Sequence, residues 1–110
     1  MTYREIAVMV KEVGVPTAYD HFKGTGQKLP FLCFLFPNDS DFLADNQNYV
    51  DIDILQIELY TEQKDFDLEQ KVKDILKAHN LVYSSEEGYL DDEQMYMHTY
   101  TMGVVINAES

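Results

Sequence analysis

The sequence predicts an α+β fold in which two helices pack on one face of a mostly antiparallel sheet of about four strands. Two segments carry apolar residues at helical spacing, and four others are apolar runs or alternate apolar with polar residues as strands do. In chain order these elements run helix, strand, strand, helix, strand, strand. We expect residues 1–110 to form a single domain that folds without a disulfide or a metal.

Residues 50–60 are the predicted central strand, because apolar and polar residues alternate along them. The alternation contains one phase error: the apolar residues occupy even-numbered positions up to Ile54 and odd-numbered positions from Leu55 onward. A shift of one position places the following side chains on the opposite face of the strand. We therefore expect either a β-bulge near Asp53 or a regular strand that begins only at Ile54.

The first helix is predicted over residues 3–13. Thr2 and Glu5 have the spacing of a capping box, which satisfies the first free amides of a helix, and Gly14 ends the apolar helical pattern.

The second helix is predicted over residues 65–79. Acidic and basic residues are spaced four apart on its outer face, which predicts that Asp67 pairs with Lys71 and Glu69 with Lys73. Asn80 suits a left-handed terminating position. The predicted core face is apolar and consists of Phe66, Leu68, Val72, Ile75 and Leu76.

The remaining strands are predicted from shorter signals. Residues 31–36 form a continuous apolar run between two prolines, which is typical of a strand buried on both faces, and residues 15–30 before it are interpreted as a connection. Residues 81–90 and 94–106 are predicted to form a hairpin that turns at residues 91–93.

The last strand carries methionines on a face that a solvated sheet would leave polar. Tyr96 and Tyr100 are predicted on one face, and Met95 and Met97 on the other. If the tyrosine face packs on the helices, Met95 and Met97 indicate a surface for self-association or for a protein partner. The alternative, that loops of the same chain cover them, stays open.

No catalytic residue, metal site or cofactor is expected from the sequence. The three histidines lie on different elements without metal-ligand spacing, the loop after Asn38 lacks the ligand pattern of a calcium loop, and Asp51 with Asp53 are interpreted as solvated carboxylates. Cys33 is predicted to be a small buried apolar residue. We therefore expect a protein that is not an enzyme.

The chain is strongly acidic, with 8 basic and 20 acidic residues and a formal net charge of −12. This balance argues against binding of nucleic-acid phosphates, although DNA could pass such a surface without adhering. No apolar run approaches the length of a membrane span, and the start of the chain does not have the pattern of a signal peptide. We expect no membrane partner and a cytoplasmic location.

Several segments, in this order and spacing, resemble the head-tail joining or tail-terminator proteins of siphoviruses and prophages of Gram-positive bacteria. The resemblance covers nearly the whole chain and rests on Tyr-Asp-His-Phe at 19–22, Pro-Phe-Leu-Cys-Phe-Leu-Phe-Pro at 30–37, Phe-Leu-Ala-Asp-Asn at 42–46, Leu-Gln-Ile-Glu-Leu-Tyr-Thr at 55–61 and Leu-Glu-Gln-Lys-Val at 68–72.

The resemblance implies a hexameric ring at the head–tail junction of the virion, assembled from subunits made in the host cytoplasm. Such a ring caps the major tail tube protein, docks to a neck or head-completion protein and lets DNA pass without specific binding. A ring needs two different contact surfaces on each subunit, which Phe42 and Leu43 together with Met95 and Met97 could supply. The acidic residues expected to line the channel are Asp39, Asp41 and Asp45.

Other functions remain open from the sequence alone. The chain could be another neck or head-closure component. An acidic domain of this size could instead imitate DNA and inhibit a DNA-binding protein. A small enzyme is the least favoured alternative, because no nucleophile, acid or base is recognisable by its spacing.

Overall fold

A computed structural model describes residues 1–24, 26–37 and 51–107 of the chain. Five of the residues predicted to form interfaces or to line a channel lie outside these ranges, namely Asp39, Asp41, Phe42, Leu43 and Asp45. Those predictions therefore stay as they were made from the sequence.

The described strands form one five-stranded sheet in the order β1-β2-β3-β5-β4. All neighbouring strands are antiparallel except β1 and β2, which are parallel. The predicted central strand is central, since β3 lies between β2 and β5. The strands are β1 at Thr17–Tyr19, β2 at Phe31–Leu35, β3 at Asp51–Thr61, β4 at Tyr83–Leu90 and β5 at Met95–Ile106.

Helix α1 spans Tyr3–Lys11 and confirms the predicted capping box. The Glu5 amide donates to the Thr2 hydroxyl at 3.1 Å, and the Thr2 amide donates to the Glu5 carboxylate at 2.8 Å. Helix α2 spans Phe66–Ala78 and begins at Asp65, whose carboxylate accepts from the Leu68 amide at 3.0 Å. Among the described residues, neither helix combines the length and apolar character needed to cross a membrane.

Both helices lie on the same face of the sheet, as predicted. Their buried side chains share one hydrophobic cluster with alternate residues of the three middle strands β2, β3 and β5. The Tyr100 hydroxyl of β5 also donates to the Glu69 carbonyl of α2 at 3.2 Å. The fully buried side chains of this core are Ile6, Met9, Val10, Leu32, Leu55, Ile57, Leu59, Val72, Leu76, Tyr100 and Val104.

The sheet has five strands rather than about four, because the connection predicted over residues 15–30 contains β1. This strand has three residues and pairs in parallel with β2, from Thr17 opposite Leu32 to Tyr19 opposite Phe34. Asp20 ends it in a left-handed conformation, with a φ of 66°. Three residues are too few to show an alternation, so the sequence pattern could not reveal this strand.

The phase error in the central strand predicted either a bulge near Asp53 or a strand that begins only at Ile54, and both predictions are wrong. The pairing of β3 with β5 runs without interruption from Asp51 opposite Ile106 to Thr61 opposite Tyr96, so β3 has neither a bulge nor a late start. Leu55 faces the helices and is fully buried, whereas Ile54 points to the opposite face and is partly exposed. Apolar residues therefore occur on both faces of β3.

The predicted core face of α2 is confirmed for Val72 and Leu76, which are buried, and for Leu68 and Ile75, which are partly buried against the same cluster. It is wrong for Phe66. Phe66 is 72% exposed at the start of the helix. Glu69, predicted on the outer face in a pair with Lys73, is instead only 5% exposed and bonds to Lys64. The helix is rotated so that Glu69 follows the same inward stripe as Val72 and Leu76.

Candidate functional site

The sheet face that points away from both helices is the candidate interaction surface, and we call it the open face. No helix within residues 1–24, 26–37 and 51–107 packs against it. A described segment after β1 does reach it, where the Phe22 ring meets the Phe31 ring edge-on at 5.3 Å between centroids. Its apolar strand residues are Ala18, Phe31, Cys33, Leu35, Ile52, Ile54, Tyr60, Leu90, Met95, Met97 and Val105.

Met95 and Met97 lie on the open face, as the alternation predicted, while Tyr96 and Tyr100 face the helices. Both methionines are partly exposed. Gly88 pairs with Met97 from β4, and a Cβ placed on this glycine would have no neighbour within 4 Å. The flexible Met97 side chain therefore has open space beside it in which to adapt to a partner.

The open face carries few charges for so acidic a chain. Glu58 and Glu86 are its two charged strand residues within the described ranges. The Glu58 carboxylate accepts from the side-chain Nε2 of Gln56 at 2.8 Å and from the Tyr60 hydroxyl at 2.9 Å. Burial, together with this hydrogen bond to Glu58, raises the pKa of Tyr60 and keeps its hydroxyl protonated as a donor. The polar side chains of Gln56, Glu58 and Tyr60 are thus paired with one another.

Cys33 lies in an open groove of about 340 Å³ on this face, next to Phe31, Tyr60 and Met95. Its side chain is 3% exposed, which confirms the predicted small buried residue. Burial, and then the charges of Glu58 and Asp20, raise the pKa of the Cys33 thiol to about 11. Since the thiolate is the reactive form, this environment opposes any role as a nucleophile.

We expect Cys33 to react slowly with iodoacetamide in the native protein. The reference is an exposed thiol on β4, the strand at the far edge of the sheet, made by combining Cys33→Ser with Ser84→Cys. At pH 8 the raised pKa alone should slow Cys33 by about a hundredfold relative to Ser84→Cys. Intact mass against time measures both rates, and equal rates would show that the groove leaves the thiol accessible and ionised.

A second group of polar side chains, which we call the α2 polar cluster, lies where α2 meets β4 and β5. The Lys64 ammonium donates to both carboxylate oxygens of Glu69, at 2.6 and 2.8 Å, and it also bonds to Glu87. The His98 Nδ1 atom is 3.4 Å from Glu69 Oε1 and 3.7 Å from Glu87 Oε1. Three elements and the turn before α2 therefore bring four ionisable groups together.

In the α2 polar cluster, Lys64 is well paired with carboxylates, whereas His98 has no hydrogen bond to a described residue. Burial lowers the pKa of Lys64, but its hydrogen bonds to Glu69 and Glu87 outweigh this, so that pKa lies above the usual value. The same contact with Lys64 lowers the pKa of Glu87. His98 is 9% exposed, and within the described part of the chain neither of its ring nitrogens has a hydrogen-bond partner.

Among the described residues, the other polar side chains considered from the sequence lie in three separate contacts. Asp53 accepts from the Tyr3 hydroxyl at 2.6 Å, at the end of the sheet near α1. His21 pairs with its neighbour Asp20 at 2.8 Å and is exposed, while His79 lies 3.5 Å from Glu12. These three contacts share no residue: the first joins β3 to α1, the second lies just after β1, and the third joins the C-terminal ends of the two helices.

Sequence reasoning missed the α2 polar cluster, although one signal for it was present. Glu69, Val72 and Leu76 have the spacing of one helical stripe, which places a carboxylate on the buried side of α2. A buried carboxylate requires a partner of opposite charge. Lys64 is that partner, five residues earlier in the chain.

No protein-family model matches the sequence, and its comparison with curated proteins and with solved structures found no match.

Proposed function

We propose that this chain is a structural protein of a phage virion, a tail terminator that works by assembly and has no catalytic role. The observation that carries the proposal is the open face, which combines apolar composition with low charge. It adds to the resemblance of the sequence to head-tail joining proteins. The proposed partners are further copies of the chain in a hexameric ring, the major tail tube protein and a neck protein, at the head–tail junction.

The size of the open face suits a protein contact. Strand β3 has 11 residues, so the face is roughly 35 Å long, and five strands spaced by about 4.8 Å make it roughly 20 Å wide. A rectangle of this size has an area of about 700 Å², an upper limit because β1, β2 and β4 are shorter than β3, and it is near the roughly 800 Å² per partner of a standard interface. Exposed apolar patches of a few hundred Å² are typical of interaction sites.

The distribution of charge favours contact through this face over the rest of the surface. Subunits that each carry a formal net charge of −12 repel one another, so they associate best where charges are few. The pairing of Glu58 with Gln56 and Tyr60 lowers the cost of removing water from the centre of the face. The acidic remainder of each subunit would then face solvent or the DNA channel.

We expect Met97→Glu to prevent assembly of the ring without unfolding the subunit, because it places a carboxylate within the apolar part of the open face. Val8→Glu is the matched control, since Val8 is 58% exposed on the outer side of α1. Light scattering over a range of concentrations, with and without purified tail tube protein, measures the assembled mass. Circular dichroism verifies that both variants are folded.

The tail-terminator function itself is tested on growing tubes. Tail tube protein from the same phage is allowed to polymerise alone, with the wild-type chain, or with Met97→Glu, and electron micrographs give the tube lengths. The wild-type chain should shorten the tubes and appear at one end of each, whereas Met97→Glu should leave them as long as the tube protein alone. Tubes of unchanged length with the wild-type chain would contradict the proposal.

A further inference from the structure

The geometry points to a binding site for a divalent transition-metal ion of the Zn²⁺ class in the α2 polar cluster, formed by Glu69, Glu87 and His98 and entered by displacing the Lys64 ammonium. One ligand atom from each of the three residues lies within 4.8 Å of the others. The inference does not depend on the proposed function, and from the sequence we expected no metal site.

The distances suit a small ion. In a tetrahedral site with bonds of about 2.1 Å, two ligand atoms lie about 3.4 Å apart. His98 Nδ1 is 3.4 Å from Glu69 Oε1 and 3.7 Å from Glu87 Oε1. Two of the three separations therefore already suit one ion, and the two carboxylate ligand atoms lie within 4.8 Å of each other. Water would complete the coordination.

His98 is the observation that distinguishes this site from an ordinary ion pair. The residue is 9% exposed, its Nδ1 faces the two carboxylates, and within the described residues neither ring nitrogen forms a hydrogen bond. A buried polar atom without a partner is rare and costly. Coordination of an ion through Nδ1 would satisfy that nitrogen, and imidazole with carboxylate ligands suits Zn²⁺ better than Mg²⁺ or Ca²⁺.

Lys64 occupies the cation position in the absence of an ion. Its ammonium bonds to Glu69 Oε1 and to Glu87 Oε1, the oxygens that would bind the metal. The Lys64 side chain is 27% exposed, so it can turn outward, and its ammonium already lies 4.7 Å from the centre of the exposed Phe66 ring. Since a bound ion must displace this ammonium, removal of Lys64 should strengthen metal binding.

Titration calorimetry of the full chain with ZnCl₂ tests the site, with MgCl₂ as the hard-ion comparison. We expect one Zn²⁺ per chain, affinity at least about tenfold weaker in His98→Gln and Glu87→Gln, and tighter binding in Lys64→Met. His79→Gln is the control, because His79 lies beside one carboxylate, that of Glu12, whereas His98 lies beside two. It should bind as the wild type does.

Two results would overturn the inference. One is the absence of saturable binding at one ion per chain in the wild type. The other is unchanged affinity in His98→Gln, which would place the ion elsewhere. Thermal melting of every variant without metal verifies that a loss of binding does not come from unfolding, and Zn²⁺ should raise the melting temperature of Lys64→Met more than that of the wild type.

Discussion

Leu55→Ala will lower the free energy of unfolding by about 2 to 5 kcal/mol, the range for removing a large aliphatic side chain from a packed core. Leu55 is fully buried in the middle of β3 and faces both helices. Met102 of β5 pairs with Leu55, and β2 pairs with β3 from Gln56 onward, so the cavity cannot close without disturbing the sheet. Denaturation in urea, followed by circular dichroism, measures the change.

The neighbouring residue provides the matched control. Ile54→Ala removes a similar volume from the opposite face of the same strand, where Ile54 is partly exposed and pairs with Gly103. It should cost no more than about 1 kcal/mol in the monomer. Because assembly adds to apparent stability, both variants are compared at the lowest usable concentration. Equal losses from the two variants would contradict the assignment of the two faces.

The contrast between Leu55 and Ile54 also explains the apparent phase error in β3. The prediction of a bulge or a late start assumes that one face of the strand is solvated and polar. In the fold, Leu35 and Val105 lie on the same face as Ile52 and Ile54, so apolar residues cluster there without any slip in register. An apparent phase error can therefore report a second apolar face instead of a bulge.

The elements with long periodic patterns were predictable, and the exceptions have physical reasons. Both helices, the central strand and the final hairpin follow from apolar spacing and terminal residues, as the left-handed Asn80 with its φ of 60° illustrates. Strand β1 was missed because its pairing with β2 is set by tertiary contact and not by three residues of sequence. Local pattern cannot report a parallel neighbour that follows later in the chain.

The candidate sites were predictable to different extents. Alternation alone predicts that Met95 and Met97 lie on the face opposite Tyr100, because in a regular strand the face of one side chain determines the face of all the others. The α2 polar cluster was not predictable in the same way, because its members are brought together by packing of α2 on the hairpin. The helical spacing of Glu69 predicts that it is buried, but no local pattern predicts that Glu87 and His98 lie close to it.

Lys64→Met will lower the free energy of unfolding by about 2 kcal/mol at pH 7. It leaves Glu69, whose side chain is 6% exposed, without the ammonium that neutralises it, and leaves the Glu87 carboxylate nearby. Removing one partner of a fully buried pair costs about 3 to 5 kcal/mol, and the partial exposure of Lys64 reduces that figure. Urea denaturation is the measurement, and Lys28→Met, at an exposed position in the connection before β2, is the control.

The pH dependence separates this charge effect from a loss of packing. Lys64 lowers the pKa of Glu87 from 4.5, so the stabilisation from their contact is present above that pH and disappears as the pH falls through the lowered value. Lys64→Met lacks this contribution at every pH. The difference in stability between wild type and variant should therefore narrow below about pH 4.5. A difference that stays constant down to pH 3, or a loss equal to that of Lys28→Met, would mean that Lys64 acts through its aliphatic chain and not through its charge.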